Sequence, residues 1–430
     1  MQEEGFIQTG ERRKAVVTYS APFIEQKPSA IQAILKQRSS VLAVYKTMEL
    51  LAPDIFTFCA RFFRIYESGE YENALKWARK PRDAQGQWKV MSAFLHDLLK
   101  SSGNLLFESM YAALELHAQV PFLVDYQWPV TSYSPYLDAH NIGGFLEALQ
   151  SSSRFAVHRC FSDYYHTVNA AMEKSFEKLS RLFPDTEEDS ASFFSWSADK
   201  GRYPYYLQIA RDLVEKIGIG VYAPGEYLPS ETALARHYQA SVDTVRKALR
   251  YLNNIGFAQT QNGIGTHAVR PDRYAYRDYS NKTGILLYLS GIQLMALLIR
   301  PAALFVFDLL DCKEQKKLEQ SFSKPDAIPL AEIVDCIIEN MSLYPYKVIL
   351  SETNKLLNWG FYFTFYSYGH KNTDYIVHGS LQAFSRLQQG DRQGFADLLF
   401  DCYCHILNSM RKILSYGGLT EAEALLTPDS

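Results

Sequence analysis

Between Ser241 and Leu252 the sequence places cations and a short hydroxyl where one helix face could hold a polyanion. At helical spacing Val245, Ala248, Leu249 and Leu252 form a buried stripe, which leaves Asp243, Thr244, Arg246, Lys247 and Arg250 outside. A guanidinium is a planar fork, so Arg246 suits either a guanine edge or a phosphate. Thr244 and the first backbone amides of the helix suit phosphate oxygens. Ser241 is the natural N-cap, and Ser230 caps a shorter helix upstream with Thr232 in its first turn. Downstream, Gly263 and Gly265 allow backbone to approach a duplex with no side chain between, and His267 follows them. These eleven residues form one expected DNA-binding set.

The elements that must position that set are legible on either side. Tyr205, Ile209, Leu213 and Ile217 recur every four residues, the stripe of an amphipathic first helix. Gly218, Gly220, Pro224 and Gly225 break it and make a loop. Pro229-Ser230 starts a second helix that turns Leu234 inward and ends near Gln239. The third helix runs from Ser241 to a stop at Gly256. Two strands follow, Phe257 to Thr260 and Thr266 to Val269, with Gln261 to Gly265 turning between them. Helix, helix, turn, helix and hairpin make a winged helix over residues 204–270. That order puts the third helix in a major groove and the hairpin beside it.

The phrases Pro224-Gly225-Glu226-Tyr227-Leu228-Pro229-Ser230-Glu231, Ser241 with Thr244-Val245-Arg246-Lys247-Ala248-Leu249, and Gly263-Ile264-Gly265-Thr266 closely resemble the GntR family of bacterial transcription regulators. The resemblance implies a winged helix that binds double-stranded DNA as a dimer across two half-sites. Family members commonly carry arginine where this chain has Thr232 and Val242, so recognition is expected to be weakened or redirected there.

The closing phrase of the winged helix occurs twice. Gly256-Phe257-Ala258-Gln259-Thr260 with Ala268-Val269 is echoed by Gly5-Phe6-Ile7-Gln8-Thr9 with Ala15-Val16. A tandem duplication follows as the expected architecture. Residues 1–20 are then the remnant of an earlier wing, made basic by Arg12, Arg13 and Lys14, and either the chain starts at an internal methionine of a longer protein or that first unit has decayed. Residues 30–182 and 275–420 read as two copies of an all-α bundle. Ser40 to Phe63 parallels Gly284 to Phe307, and Leu149-Gln150 with Arg154 and Asp163 parallels Leu387-Gln388 with Arg392 and Asp401. Between them, residues 183–203 are acidic and serine-rich and read as an exposed linker.

Leu387-Gln388-Gln389-Gly390-Asp391-Arg392, with Phe94 and Ser102-Gly103-Asn104-Leu105-Leu106, resembles the effector domain of the fatty-acid-responsive branch of that family. The resemblance implies a small organic acid as effector, often bound through a metal. Here the ligand positions hold Met91, Leu95, Leu330, Val334, Ser380 and Cys402, so no metal and no cofactor is expected. His378, Cys404 and His405 lie near, but match no closed zinc spacing and read as structural.

Bulk composition bounds the rest. At 430 residues the chain is too long for one core, and 47% hydrophobic with 21% charged residues is ordinary for globular domains. A net charge of −3 excludes a generally basic nucleic-acid coat and leaves room for a local basic face. Six cysteines without a CxxC pair, and no signal segment, fit reduced thiols in a cytoplasmic protein. The apolar run Gly284 to Ile299 stops at Arg300-Pro301, short of the roughly 20 residues a membrane span needs, and reads as a buried helix. Neither a phosphate loop nor a nucleophile elbow occurs, so no enzyme is expected.

The expected fold class is thus mainly α: a winged helix-turn-helix with a small β-hairpin wing, flanked by two all-α helical bundles. The expected function is a ligand-modulated transcription regulator acting as a homodimer or internal pseudo-dimer, with no membrane partner. The alternative is a protein-interaction or oligomerisation module whose winged helix is degenerate.

Overall fold

Apolar residues bury one helical stripe after another along this chain, and the structure, a computed structural model, is mostly helical. It describes residues 7–8, 16–17, 32, 34–79, 84–118, 142–189, 194–199, 201, 204–261, 263–269, 282–324, 327–360, 371–416 and 418–428. A ribbon comes first, β1 (Ile7–Gln8) paired antiparallel with β2 (Val16–Val17). Ile7 faces Val17, two residues beyond the partner that the echoed phrases would give, a shift that keeps the same faces together. Gly5, Phe6 and the basic run Arg12 to Lys14 lie outside the described residues.

Helices α1 (Arg38–Ala60), α2 (Tyr71–Arg79), α3 (Ala84–Lys100), α4 (Phe107–His117), α5 (Ile142–Gln150) and α6 (Arg154–Leu182) form the first bundle. Its centre is aromatic. Phe56 on α1 stacks on Phe161 of α6 at 4.6 Å and meets Tyr111 of α4 edge-on at 5.2 Å. The winged unit follows, with α7 (Tyr205–Gly218), α8 (Glu231–His237), α9 (Val242–Asn254), β3 (Ala258–Gln261) and β4 (Gly265–Ala268). The second bundle comprises α10 (Lys282–Val306), α11 (Cys312–Ser321), α12 (Pro329–Asn340), α13 (Tyr344–Leu357), α14 (Lys371–Gln388) and α15 (Arg392–Tyr416).

The two bundles share an order of elements. Each opens with a long helix holding an internal proline, Pro53 or Pro301, and a 3-10 turn, Ile65–Glu67 or Phe307–Leu309. Each closes with a long helix packed against the first, α6 on α1 and α15 on α10. The penultimate helices end at Gln150 and Gln388, and the last begin at Arg154 and Arg392. The turn between them uses a left-handed residue in both cases, Ser152 at φ 53° and Gly390 at φ 76°. The bundles touch where α1 meets α10 and α13. A buried polar seam crosses that contact: Asn104 Nδ2 donates to the Ser290 carbonyl at 3.0 Å and to Gln293 Oε1 at 2.8 Å.

One expectation is corrected here. The 183–203 stretch is not an exposed linker throughout, since Phe194, Ala198 and Asp199 are buried. Phe194 meets His117 edge-on at 5.8 Å, and Trp196 Nε1 donates to Ser109 Oγ at 3.4 Å. Serine content read as linker, but large aromatic surfaces such as these are favoured out of water. Helix α10 continues through Pro301 to Val306, past the apolar run that stops at Ile299 and over the length expected from its parallel with Ser40 to Phe63. Proline removes one helix hydrogen bond. Near that opened turn Tyr346 donates to the Leu298 carbonyl at 2.8 Å. Arg300 pairs with Asp397 at 2.8 Å and lies 4.2 Å over the Phe400 ring. The segment 282–309 is long and apolar enough to cross a membrane, yet here α10 is the central helix of the second bundle.

Candidate nucleic-acid interface

The third helix of the winged unit is held by its own stripe. Val245, Ala248, Leu249 and Leu252 of α9 are buried with Leu213, Val214 and Ile217 of α7 and with Phe257. Ser241 Oγ accepts from the Thr244 amide at 3.1 Å, and Ser230 Oγ accepts from the Ala233 amide at 3.3 Å. Both caps stand where serine was expected to supply them. Tyr205, taken as the first member of the α7 stripe, is instead exposed and donates to the Tyr238 carbonyl. A phenol can lie at a helix start with its hydroxyl engaged, so helical spacing does not fix its burial.

The proline- and glycine-rich segment before α8 is more than a loop. Gly225 donates to the Ala268 carbonyl and Leu228 to the Thr266 carbonyl, each at 2.8 Å, and Ala268 donates back to the Glu226 carbonyl. Tyr227 bridges His267, so the wing has a third, partial strand. β3 and β4 pair in register from Ala258 with Ala268 to Gln261 with Gly265. Gly263 turns with φ 78° at the tip. Gly265 takes φ 148°, and a Cβ there would meet the Tyr227 ring at 3.2 Å. Asn253 Nδ2 donates to Thr260 Oγ1 at 2.7 Å, which fastens the end of α9 to the wing.

Asp243, Arg246, Lys247 and Arg250 all face solvent on α9, while Thr244 is half-buried and its hydroxyl shares a 2.8 Å hydrogen bond with Ser241. Ser230 and Thr232 are exposed with their hydroxyls 3.1 Å apart. On the wing Gly263 is exposed, and His267 is half-buried with its ring edge-on to Tyr227 at 5.9 Å. Arg246 is not a free fork. Its Nε donates to Glu231 at 2.8 Å and its Nη1 to Asp243 at 3.3 Å. Among the described residues no acceptor takes the Nη2 protons, and the two carboxylates hold the guanidinium in one orientation. Among the described residues Lys247 and Arg250 form no ion pair.

Glu231, Asn253, Tyr227 and Tyr251 are the participants that spacing alone misses. Glu231 stood inside the Pro-Ser-Glu phrase, but only the packing of α8 on α9 puts it beside Arg246. Tyr251 leaves the rear of α9 and meets Trp359, just past the end of α13, edge-on at 6.0 Å. Nearby, Asn358 donates to Glu215 of α7. Burial raises the Glu215 carboxyl to about 7, with the Asp212 and Asp335 charges adding to the effect.

The positions compared with metal ligands lie in the two bundle cores: Met91, Leu95, Leu330, Val334, Ser380 and Cys402 are all buried. Burial pushes the Cys402 thiol up to about 12. Cys404 Sγ donates to the Pro428 carbonyl at 3.2 Å, His405 stacks on Tyr375 at 3.9 Å, and His378 is exposed.

Residues 205–267 match the model of the family described as bacterial regulatory proteins, gntR family. The chain is similar to the mannosyl-D-glycerate transport/metabolism system repressor MngR of Escherichia coli (strain K12), 40% identical over 76 residues, which is 18% of this chain and 31% of that protein. It is also similar to the histidine utilization repressor of Klebsiella aerogenes, 34% identical over 68 residues, 16% of this chain and 28% of that protein. The chain therefore spans less than a third of the length of these curated relatives. Among solved structures, Streptococcus agalactiae GntR is matched at 16% identity and a TM-score of 0.21, over 47% of this chain and 99% of that one. Order of elements, caps and motif agree with the family model in one segment: residues 205–267 are a winged helix-turn-helix of the GntR type.

Proposed function

We propose that this protein is a DNA-binding transcription regulator of the GntR type. The observation that carries the reading is the outer face of α9, where Arg246, Lys247 and Arg250 stand exposed beside a glycine-tipped wing. A helix of this kind enters a major groove while the hairpin follows the adjacent backbone. Lys247 and Arg250 take phosphates, and Arg246, held by Glu231, reads a base edge.

The bundles over 30–182 and 275–420 are two copies of one effector-like domain, with 1–20 the remnant of an earlier wing. Their common order of elements and the matched turns at Ser152 and Gly390 support this. Their contact through α1, α10 and α13 supports an internal pseudo-dimer. The winged unit at 204–270 alone grips a half-site weakly, and a second such unit completes the site. A small organic effector acting through the bundles modulates that grip.

The pairing of Arg246 with two carboxylates favours one rival, in which the winged helix is a relic and the chain an interaction module. One experiment separates them. Duplexes are enriched from a random-sequence pool with the full chain, and the winners are tested by mobility shift against Arg246→Ala at fixed salt. A reader of DNA loses about 1–3 kcal/mol of binding on that substitution. Failure to enrich any sequence, or an unchanged affinity, sinks the regulatory reading.

A further inference from the structure

A cavity of about 300 Å³ lies where α7 of the winged unit meets the second bundle. Part of its wall is apolar, from Ile292, Ile376 and Ile406. Tyr403 also lines it; the residue is 4% exposed, and its hydroxyl has no hydrogen-bond partner among the described residues. A phenol that lines a cavity with its hydroxyl unmatched marks a place where a polar group can be received.

Charge supplies an independent sign. Among the described residues, Glu215 of α7 and Glu332 and Asp335 of α12 line the cavity against one cation, Lys324, which lies 3.4 Å from Glu332. Among the described residues neither Glu215 nor Asp335 forms an ion pair. Each is held by an amide: Asn354 donates to Asp335 at 3.1 Å, and Asn358 donates to Glu215. Burial lifts the two carboxyls to about 7 and about 6, neighbouring carboxylates add to the rise, and the charges of Arg211, Lys216 and Lys324 offset only part of it.

We propose that this cavity binds a small organic cation, a primary alkylammonium whose head lies between Glu215 and Asp335. Its chain runs along Ile292, Ile376 and Ile406. An ammonium offers three donors and no acceptor, which suits two carboxylates and the Tyr403 oxygen. The organic acid that the family resemblance implies would bring a further negative charge to this wall. The ligand would also bridge two parts of the molecule, since Glu215 belongs to the winged unit and Asp335 to the bundle. Any consequence for DNA rests on the regulatory reading, whereas binding itself needs no DNA.

The test is calorimetric titration of the full chain with hexylamine hydrochloride, sodium hexanoate and 1-hexanol at about pH 8, where the amine and both carboxyls are charged. Saturable binding of hexylamine is expected, with the other two probes at least about tenfold weaker. Glu215→Gln and Asp335→Asn should each weaken hexylamine by a similar factor. Absence of hexylamine binding, hexanoate binding as tightly, or indifference to both substitutions overturns the proposal. The preference among the three probes is read on the unaltered protein, so a misfolded variant does not spoil the test. No duplex is present, so failure here leaves the DNA-binding reading standing, and failure to enrich a duplex leaves this one standing.

Discussion

Asp199 and Arg211 face each other in a bidentate pair, Nη1 to Oδ1 at 2.9 Å and Nη2 to Oδ2 at 2.7 Å, with both side chains buried. The pair joins a segment packed on the first bundle to the first helix of the winged unit. Breaking one half strands a charge away from water, so Asp199→Ala should cost about 3–5 kcal/mol in urea denaturation. Replacing both partners by leucine and methionine should recover most of the loss. A single substitution with almost no cost would mean that water reaches the pair.

Lys247 has no carboxylate to leave before it can meet a phosphate. Lys247→Ala should weaken binding to every duplex alike and reduce the slope of log affinity against log salt by about 1. Glu231→Gln should do the opposite to unselected DNA, strengthening it by removing a negative charge near the backbone. It should also lower the ratio of selected to unselected binding, because Arg246 loses its 2.8 Å restraint. Mobility shifts across a salt series check both; an unchanged ratio would show that Arg246 needs no support.

Glu215 gives a pH signature. Its folded carboxyl titrates at about 7, above the ordinary 4.5, so the stability it contributes is present below about 4.5 and lost as pH rises through about 7. Glu215→Gln removes that loss. The variant should exceed the parent by on the order of 2 kcal/mol at about pH 8 and match it near pH 4.5. Equal stabilities at both pH values in paired urea titrations would place the carboxyl in water.

Tyr251 and Trp359 join α9 to the second bundle. Alanine at each, alone and together, forms a double-mutant cycle, and the rings should show a coupling of about 0.5–1.5 kcal/mol. A coupling near zero would mean that the edge-on contact at 6.0 Å contributes nothing to how the two parts dock.

Gly265 combines φ 148° with a Tyr227 ring that a Cβ would meet at 3.2 Å. Gly265→Ala should therefore destabilise the wing by about 1–3 kcal/mol. Hydrogen exchange at the Ala268 amide, which donates to Glu226, reports it locally. Unaltered protection there would contradict the proposed close packing.

What could be read in advance was local. Ser230 and Ser241 cap helices, Gly256 and Gly263 turn, and the α9 stripe points inward, because each signal lies within a few residues of its effect. Strand limits came within a residue. The misreadings share a cause. Phe194 is buried against His117, far back along the chain, Asp199 pairs with Arg211 on the next helix, and Glu231 meets Arg246 across two helices. The cavity draws on helices from α7 to α15. Periodicity encodes which face is apolar, not which distant face covers it, so tertiary pairs of this kind leave no mark in spacing.

The winged unit is fastened to both neighbours through one turn of α7, by Asp199 on Arg211 from the segment behind the first bundle and by Asn358 on Glu215 from the second, with Trp359 meeting α9. Such an element cannot be shifted against one neighbour without loading its tie to the other. A displacement of either bundle therefore strains the same small unit, whichever of the two moves first.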